Sequence, residues 1–198
     1  MKTDSMNPPS IKRSALLTLS LLLIPTLAHA HVGIGETSGF LRGMGHPLSG
    51  IDHICAMVAA GLWASQLGGR SLWLVPLTFL MVMAAGGLLG MSGVTLPFVE
   101  QGIIASVLIL GVFIATAIRL PLVASVTLVG LFALCHGHAH GAEMPTSASG
   151  LQFAMGFVFA TIIFHTLGIG LGLAMQKQGR PIAVRFAGLA IICCGAYL

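Results

Sequence analysis

The sequence predicts an all-α integral membrane protein, with about six transmembrane helices behind a cleavable signal peptide. Three observations predict it. Of 198 residues, 56% are hydrophobic and only 7% charged, where a soluble domain carries about a quarter charged residues. The apolar residues fall into successive runs, each near the ~20 residues that a bilayer crossing needs. The chain also opens on a polar, positively charged stretch, then a short apolar run and a small-x-small triplet.

Taken in order, residues 1–13 carry Lys2, Lys12 and Arg13, and residues 14–27 are apolar with a break at Pro25. Ala28-His29-Ala30 has the pattern of a cleavage site. Residues 1–30 are therefore expected to be removed, leaving a transmembrane domain over 31–198. Cleavage after Ala30 makes His31 the new N-terminus, whose amine and imidazole can chelate one metal ion together. A glycine-rich lead, 33–45, precedes spans expected at 46–66, 71–91, 99–118, 120–138, 150–174 and 181–198. The last of these is only marginally long enough.

Charge sets the expected orientation. With the new N-terminus outside, the inner loops hold Arg70, Arg119, Lys177 and Arg180, with Arg185 just beyond, and the outer side keeps only Arg42. That agrees with the positive-inside rule and puts both mature termini on the outer side of the membrane. The acids sort the other way: Glu36, Asp52, Glu100 and Glu143 fall at or near the outer face, as do His31, His46, His53, His136, His138 and His140. The outer mouth reads as a trap for cations.

Composition also excludes. The net charge of +4 comes from scarce acids, and Lys and Arg are scattered singly, so nucleic-acid binding has no support. No phosphate-binding loop is present, so ATP is not the direct energy source. Cys55, Cys135, Cys193 and Cys194 sit in apolar runs and read as small buried hydrophobes. Glycines such as Gly86, Gly87, Gly90, Gly168, Gly170 and Gly172 suit close helix packing.

Two stretches carry chemistry. The first is Leu134-Cys135-His136-Gly137-His138-Ala139-His140-Gly141-Ala142-Glu143. Imidazole and carboxylate are a ligand set for divalent transition metals. In a helix, His136, His140 and Glu143 share a face and His138 points away; in an extended strand the three histidines share a side. The second is His46-Pro47-Leu48-Ser49-Gly50-Ile51-Asp52-His53. Along one unbroken helix His46 and His53 stand roughly 10 Å apart, too far to share an ion. Asp52-His53 serves either as a ligand pair or with Asp52 orienting an imidazole through its ring N–H. His165 lies deep in the fifth span, and Glu100 opens the third at the outer surface. Each is a further possible metal contact.

The pattern His46, five residues, Asp52-His53, and the pattern His136-Gly137-x-Ala139-His140-Gly141-x-Glu143 together resemble the HupE/UreJ family of nickel and cobalt permeases. The likeness runs through Gly61-Leu62-Trp63-Ala64, the stretch around Glu100, and His165, covering essentially all of 31–198. The family's second motif usually opens on Phe where this chain has Cys135. The resemblance implies a signal peptide, six membrane helices, no resident cofactor, and uptake of nickel or cobalt for hydrogenase or urease. A rival reading from another class is a membrane-embedded zinc hydrolase, with His136, His140 and Glu143 joined by Asp52 and His53 around an open metal position.

Overall fold

The structure is a computed structural model that describes residues 39–144 and 150–198. The expected signal peptide, its cleavage site, His31 and Glu36 lie outside the described residues. Everything described belongs to the unit Thr37–Leu198.

Seven α-helices make up this part: α1 Gly39–Gly45, α2 Ile51–Leu67, α3 Ser71–Met91, α4 Val99–Thr116, α5 Leu122–Ala142, α6 Gly150–Lys177 and α7 Pro181–Tyr197. Four of them, α3 to α6, are long and apolar enough to cross a membrane. They are apolar all round, as expected of helices that face lipid on one side and protein on the other. Large side chains such as Trp73, Leu77, Met81, Val123, Leu131 and Phe186 stand exposed on the outer surface. In water such a surface would drive aggregation; in a bilayer it is solvated by acyl chains. The last helix, α7, is apolar but has 17 residues.

The first span departs from expectation. In place of one helix over 46–66, α1 is followed by a 3-10 turn at His46–Leu48 and then, across Ser49 and Gly50, by α2. The two limbs meet at 83° and count as one broken span or a re-entrant segment. Pro47 lies in the first turn of the 3-10 segment, where its missing N–H costs nothing. Gly50 is extended, with φ −115° and ψ 119°, so no helix runs through it. Part of the expected glycine-rich lead is thus helical. The fourth expected span, 120–138, also falls short of the observed helix, which continues to Ala142.

Glycines explain how the helices approach. On α5, a β-carbon on Gly137 or Gly141 would strike the main chain of Met83 or Gly87 on α3; one on Gly86 or Gly90 of α3 would meet the main chain of Leu134 or His138. The α3–α5 seam is therefore closed from both sides by missing side chains. Gly61 and Gly168 do the same for α2 against α6, and Gly43 and Gly156 for α1 against α6. Replacing Gly137 by Val is expected to wedge α3 from α5 at a cost of about 1–3 kcal/mol, the range for overpacking. The check is a lower thermal midpoint for the detergent-solubilised protein and reduced abundance in the membrane.

The up-and-down course of the helices gathers the start of α2, the ends of α3 and α5, and the starts of α4 and α6 at one end of the bundle. At the opposite end Trp63 Nε1–H donates to the Ile118 carbonyl at 3.0 Å and Gln66 Nε2–H to that of Ile114 at 3.1 Å. Arg185 Nε–H donates to Ala115 O at 2.7 Å. Arg119, Arg185, Gln66 and Gln176 line a cavity there. Imidazoles and carboxylates at one end and guanidinium groups at the other match the sequence's charge sorting.

Candidate metal site

The break before α2 decides the site. It turns α1 and the 3-10 segment back over the bundle, and His46 meets the end of α5 instead of sitting two turns above His53. The rings of His46 and His140 are 4.8 Å apart, His140 and His53 4.1 Å, and His53 and His136 5.0 Å. Four imidazoles from three segments thus form a continuous row. One ligand atom each from His46, His140 and Glu143 lies within 4.8 Å of the others, and His46 Nε2 is 3.4 Å from Glu143 Oε2.

The segment 134–142 is helical, so the choice between helix and strand is resolved. His136 and His140 lie one turn apart toward α2, whereas His138 turns to the loop after α3, where its Nε2–H donates to the Val94 carbonyl at 2.6 Å. His138 is therefore not among the gathered rings. Glu143 is the cap residue just past the helix end, more exposed than the histidines and at the cavity's rim.

Two histidines have their tautomers set by neighbours. Asp52 Oδ1 accepts both the backbone N–H of His53 and its ring Nδ1–H, each at 2.8 Å. That leaves His53 Nε2 as the lone-pair nitrogen, and it is buried with no hydrogen-bond partner. Of the two roles open to Asp52, the geometry fits the orienting one, as carboxylates behind ligating histidines commonly act. Ser106 Oγ donates to the Ile103 carbonyl at 2.6 Å and so accepts from His136 Nε2–H at 2.8 Å. His136 then keeps Nδ1 for any other contact.

Unpaired nitrogens mark the rest. Both ring nitrogens of His140 are buried without a hydrogen-bond partner, and His46 Nε2, buried too, meets only Glu143 Oε2, at 3.4 Å. Burying such a group unpaired costs about 1–3 kcal/mol on the protein scale. Several in one place beside a cavity mark a site that water or a bound ion completes. Beside them lies a cavity of ≈ 210 Å³ lined by His46, Asp52, His53, Glu100, His140 and Glu143, among others. Glu100, at the start of α4, is thus brought to the same space. Ser49 also lines it, but its hydroxyl donates to His46 O at 2.6 Å as a turn bond.

His165 lies apart from the row. It is 2% exposed, and neither ring nitrogen has a partner. Phe79 separates it from the row, 4.9 Å from the His165 ring and 5.7 Å from that of His136. Phe79, Phe157 (4.3 Å from His140) and Ser106 shape the site without a signal in the sequence. An apolar residue or a lone serine in a spanning helix looks like packing until its neighbours are known. Cys135, where the resembled motif has Phe, packs against Gly102 of α4 and does not line the cavity.

A β-carbon on Gly50 would press on Asp52 Oδ1 and on His53 Nδ1. Gly50 has an extended conformation that alanine tolerates, so Gly50→Ala acts on the pair and not on the chain path. It is expected to lower metal affinity several-fold at unchanged abundance, read by metal titration of purified protein.

No solved structure matches the chain. Protein HupE of Rhizobium leguminosarum bv. viciae is 48% identical over 182 residues, covering 91% of this chain and 94% of that protein. The family model described as "HupE / UreJ protein" matches residues 19–198. That family consists of multi-pass membrane proteins of transporter type and not of enzymes, which leaves the hydrolase reading without support. By both matches, over nearly its whole length, the chain belongs to the HupE/UreJ family.

Proposed function

We propose that the chain is a secondary permease that takes a divalent transition metal, nickel before cobalt, from the periplasm to the cytoplasm for hydrogenase or urease maturation. In this reading residues 1–30 are a cleaved signal peptide, and α1 with α2 and then α7 complete six spans of the inner membrane. Both mature termini are periplasmic. His46, His53, His140 and Glu143 receive the ion, Asp52 holds His53, and His136 and Glu100 flank them. His165 takes the ion onward, beyond Phe79.

The observation that carries the reading is the row of buried imidazole nitrogens without partners, opening on a carboxylate-lined cavity. Imidazole and carboxylate suit Ni²⁺ and Co²⁺, as they do Zn²⁺ and Cu²⁺. Conduction also needs sites weak enough to release. Ligands strung along a row and then deeper in the bundle meet that need better than one closed cage. The test is uptake of radiolabelled Ni²⁺ into cells with and without the protein, with Co²⁺, Zn²⁺ and Cu²⁺ as competitors. Saturable uptake that the control lacks is the expected result; none at any metal concentration would overturn the reading.

Acid should slow uptake, because a proton and a metal ion compete for the same imidazole lone pair. The pH of half-maximal uptake is expected to move lower as nickel concentration rises, measured in initial-rate assays across pH. A midpoint independent of nickel would place proton dependence in a separate transport step.

A further inference from the structure

Cys55 and Cys194 come from opposite ends of the described chain, 139 residues apart, and their sulfurs lie 3.2 Å from each other. Cys55 is on α2, three residues and so about one turn beyond Asp52. Cys194 is four residues from the C-terminus, near the end of α7. Both are half-buried, so the contact is neither sealed in the core nor open to chance encounter. The neighbouring Cys193 is exposed on the outer surface of α7, and Cys135 packs on Gly102. The helix as a whole docks mainly on α4, through Gly111 and Gly188. The cysteine contact is a separate tie, to the helix that carries Asp52 and His53.

We propose that Cys55 and Cys194 are a dithiol–disulfide couple that cross-links α7 to α2 one turn from Asp52. A disulfide needs its sulfurs at about 2.05 Å, so closing the bond asks for a movement of roughly 1 Å. In the bond-forming step each thiol gives up one proton and one electron, and the S–S bond forms between the two sulfurs. The two electrons and two protons pass to the disulfide of a thiol oxidoreductase, which becomes a dithiol. The outward orientation proposed above places the pair on the oxidising side of the membrane, where such bonds persist. The proposal rests on that orientation, but its test does not depend on transport.

The test uses the full chain in its native membrane. Free thiols are blocked with N-ethylmaleimide in cells, and the protein is then digested without reductant for mass spectrometry. A parallel sample is first treated with diamide, which takes up the two electrons and two protons as it becomes the hydrazine. The expected product in either sample is a Cys55 peptide linked to a Cys194 peptide, two hydrogens lighter than the pair and separated by reductant. A variant with Cys135→Ser and Cys193→Ser should take two polyethylene-glycol maleimide tags under denaturing conditions only after reduction. Adding Cys194→Ser should leave Cys55 tagged without it. Both cysteines blocked by N-ethylmaleimide even after diamide, or Cys55 linked to Cys193, would overturn the couple. Nickel uptake that fails while the linked peptide is present would count against the permease reading alone.

Discussion

His140→Ala is expected to reduce nickel uptake to the level of cells without the protein, while His138→Ala stays within about twofold of the parent. The two residues are both histidines in one helix, both buried, and two positions apart. Position 138 is about 200° round the helix from 136 at ~100° per residue, and its ring is committed to the Val94 carbonyl. Position 140 is the hinge of the imidazole row, in contact with His46 on one side and His53 on the other. Removing it separates the ligands of the turned-back segment from those of α2. His136→Ala should fall between, because its ring touches His53 but is tied to Ser106. Uptake is to be normalised to protein abundance by immunoblot, since a buried histidine in a membrane helix can also matter for packing. Equal losses at 136, 138 and 140 would show that the helical face does not define the site.

Much of this arrangement was legible in the residues. Length and hydropathy give the helical segments, and the expected 71–91 coincides with α3. The charge sorting also reads correctly as two chemically distinct ends. Where the reading fell short, the cause was punctuation read too weakly or too strongly. Pro47, Ser49 and Gly50 form a break, yet a hydropathy window passes smoothly over them. The run from His136 to Gly141 looks too polar and glycine-rich to extend a spanning helix. It does so because Gly137 and Gly141 let α5 lie directly on the main chain of α3. The distance from His46 to His53 was the costliest consequence. Along a continuous helix it forbids a shared site, and only the 83° bend removes the objection. The cysteines were expected as buried fillers, whereas three are half-buried and one is exposed. Pairing across 139 residues has no local signature.

The same geometry bears on how an ion is to be admitted without being trapped. Glu143 is at the rim and mostly exposed, and His46 behind it is partly so. His140, His136 and His165 are all buried, with Phe157 against the first and Phe79 between the other two. In the proposed permease a hydrated divalent ion would meet carboxylate first and then imidazole, each exchange replacing part of its water shell. Burial raises the cost of leaving an ion uncoordinated, so enclosed positions must supply nitrogens. Four rings in sequence meet that requirement.

Asp52 gives the second large effect, and it separates ligation from orientation. Its Oδ1 accepts two hydrogen bonds from His53, one from the main chain and one from the ring. If Asp52 acts by holding His53 in the tautomer that offers Nε2, then Asp52→Ala frees the ring to rotate and to exchange tautomers. Loss of such a supporting partner typically costs 10–100-fold in metal affinity. Uptake at limiting nickel should fall by that factor and recover in part when nickel is raised. Asp52→Asn keeps an amide oxygen that can accept the same ring N–H, so it should retain most of the affinity. Were Asp52 instead a direct ligand, the neutral amide would be nearly as poor as alanine, because a carboxylate's charge on the ion would be gone. The discriminating measurement is the half-saturating nickel concentration for Ala, Asn and Glu at position 52, with His53→Ala as the floor. Asparagine near the parent and alanine near the floor is the expected order. Asparagine indistinguishable from alanine would move Asp52 from behind the histidine to the metal itself.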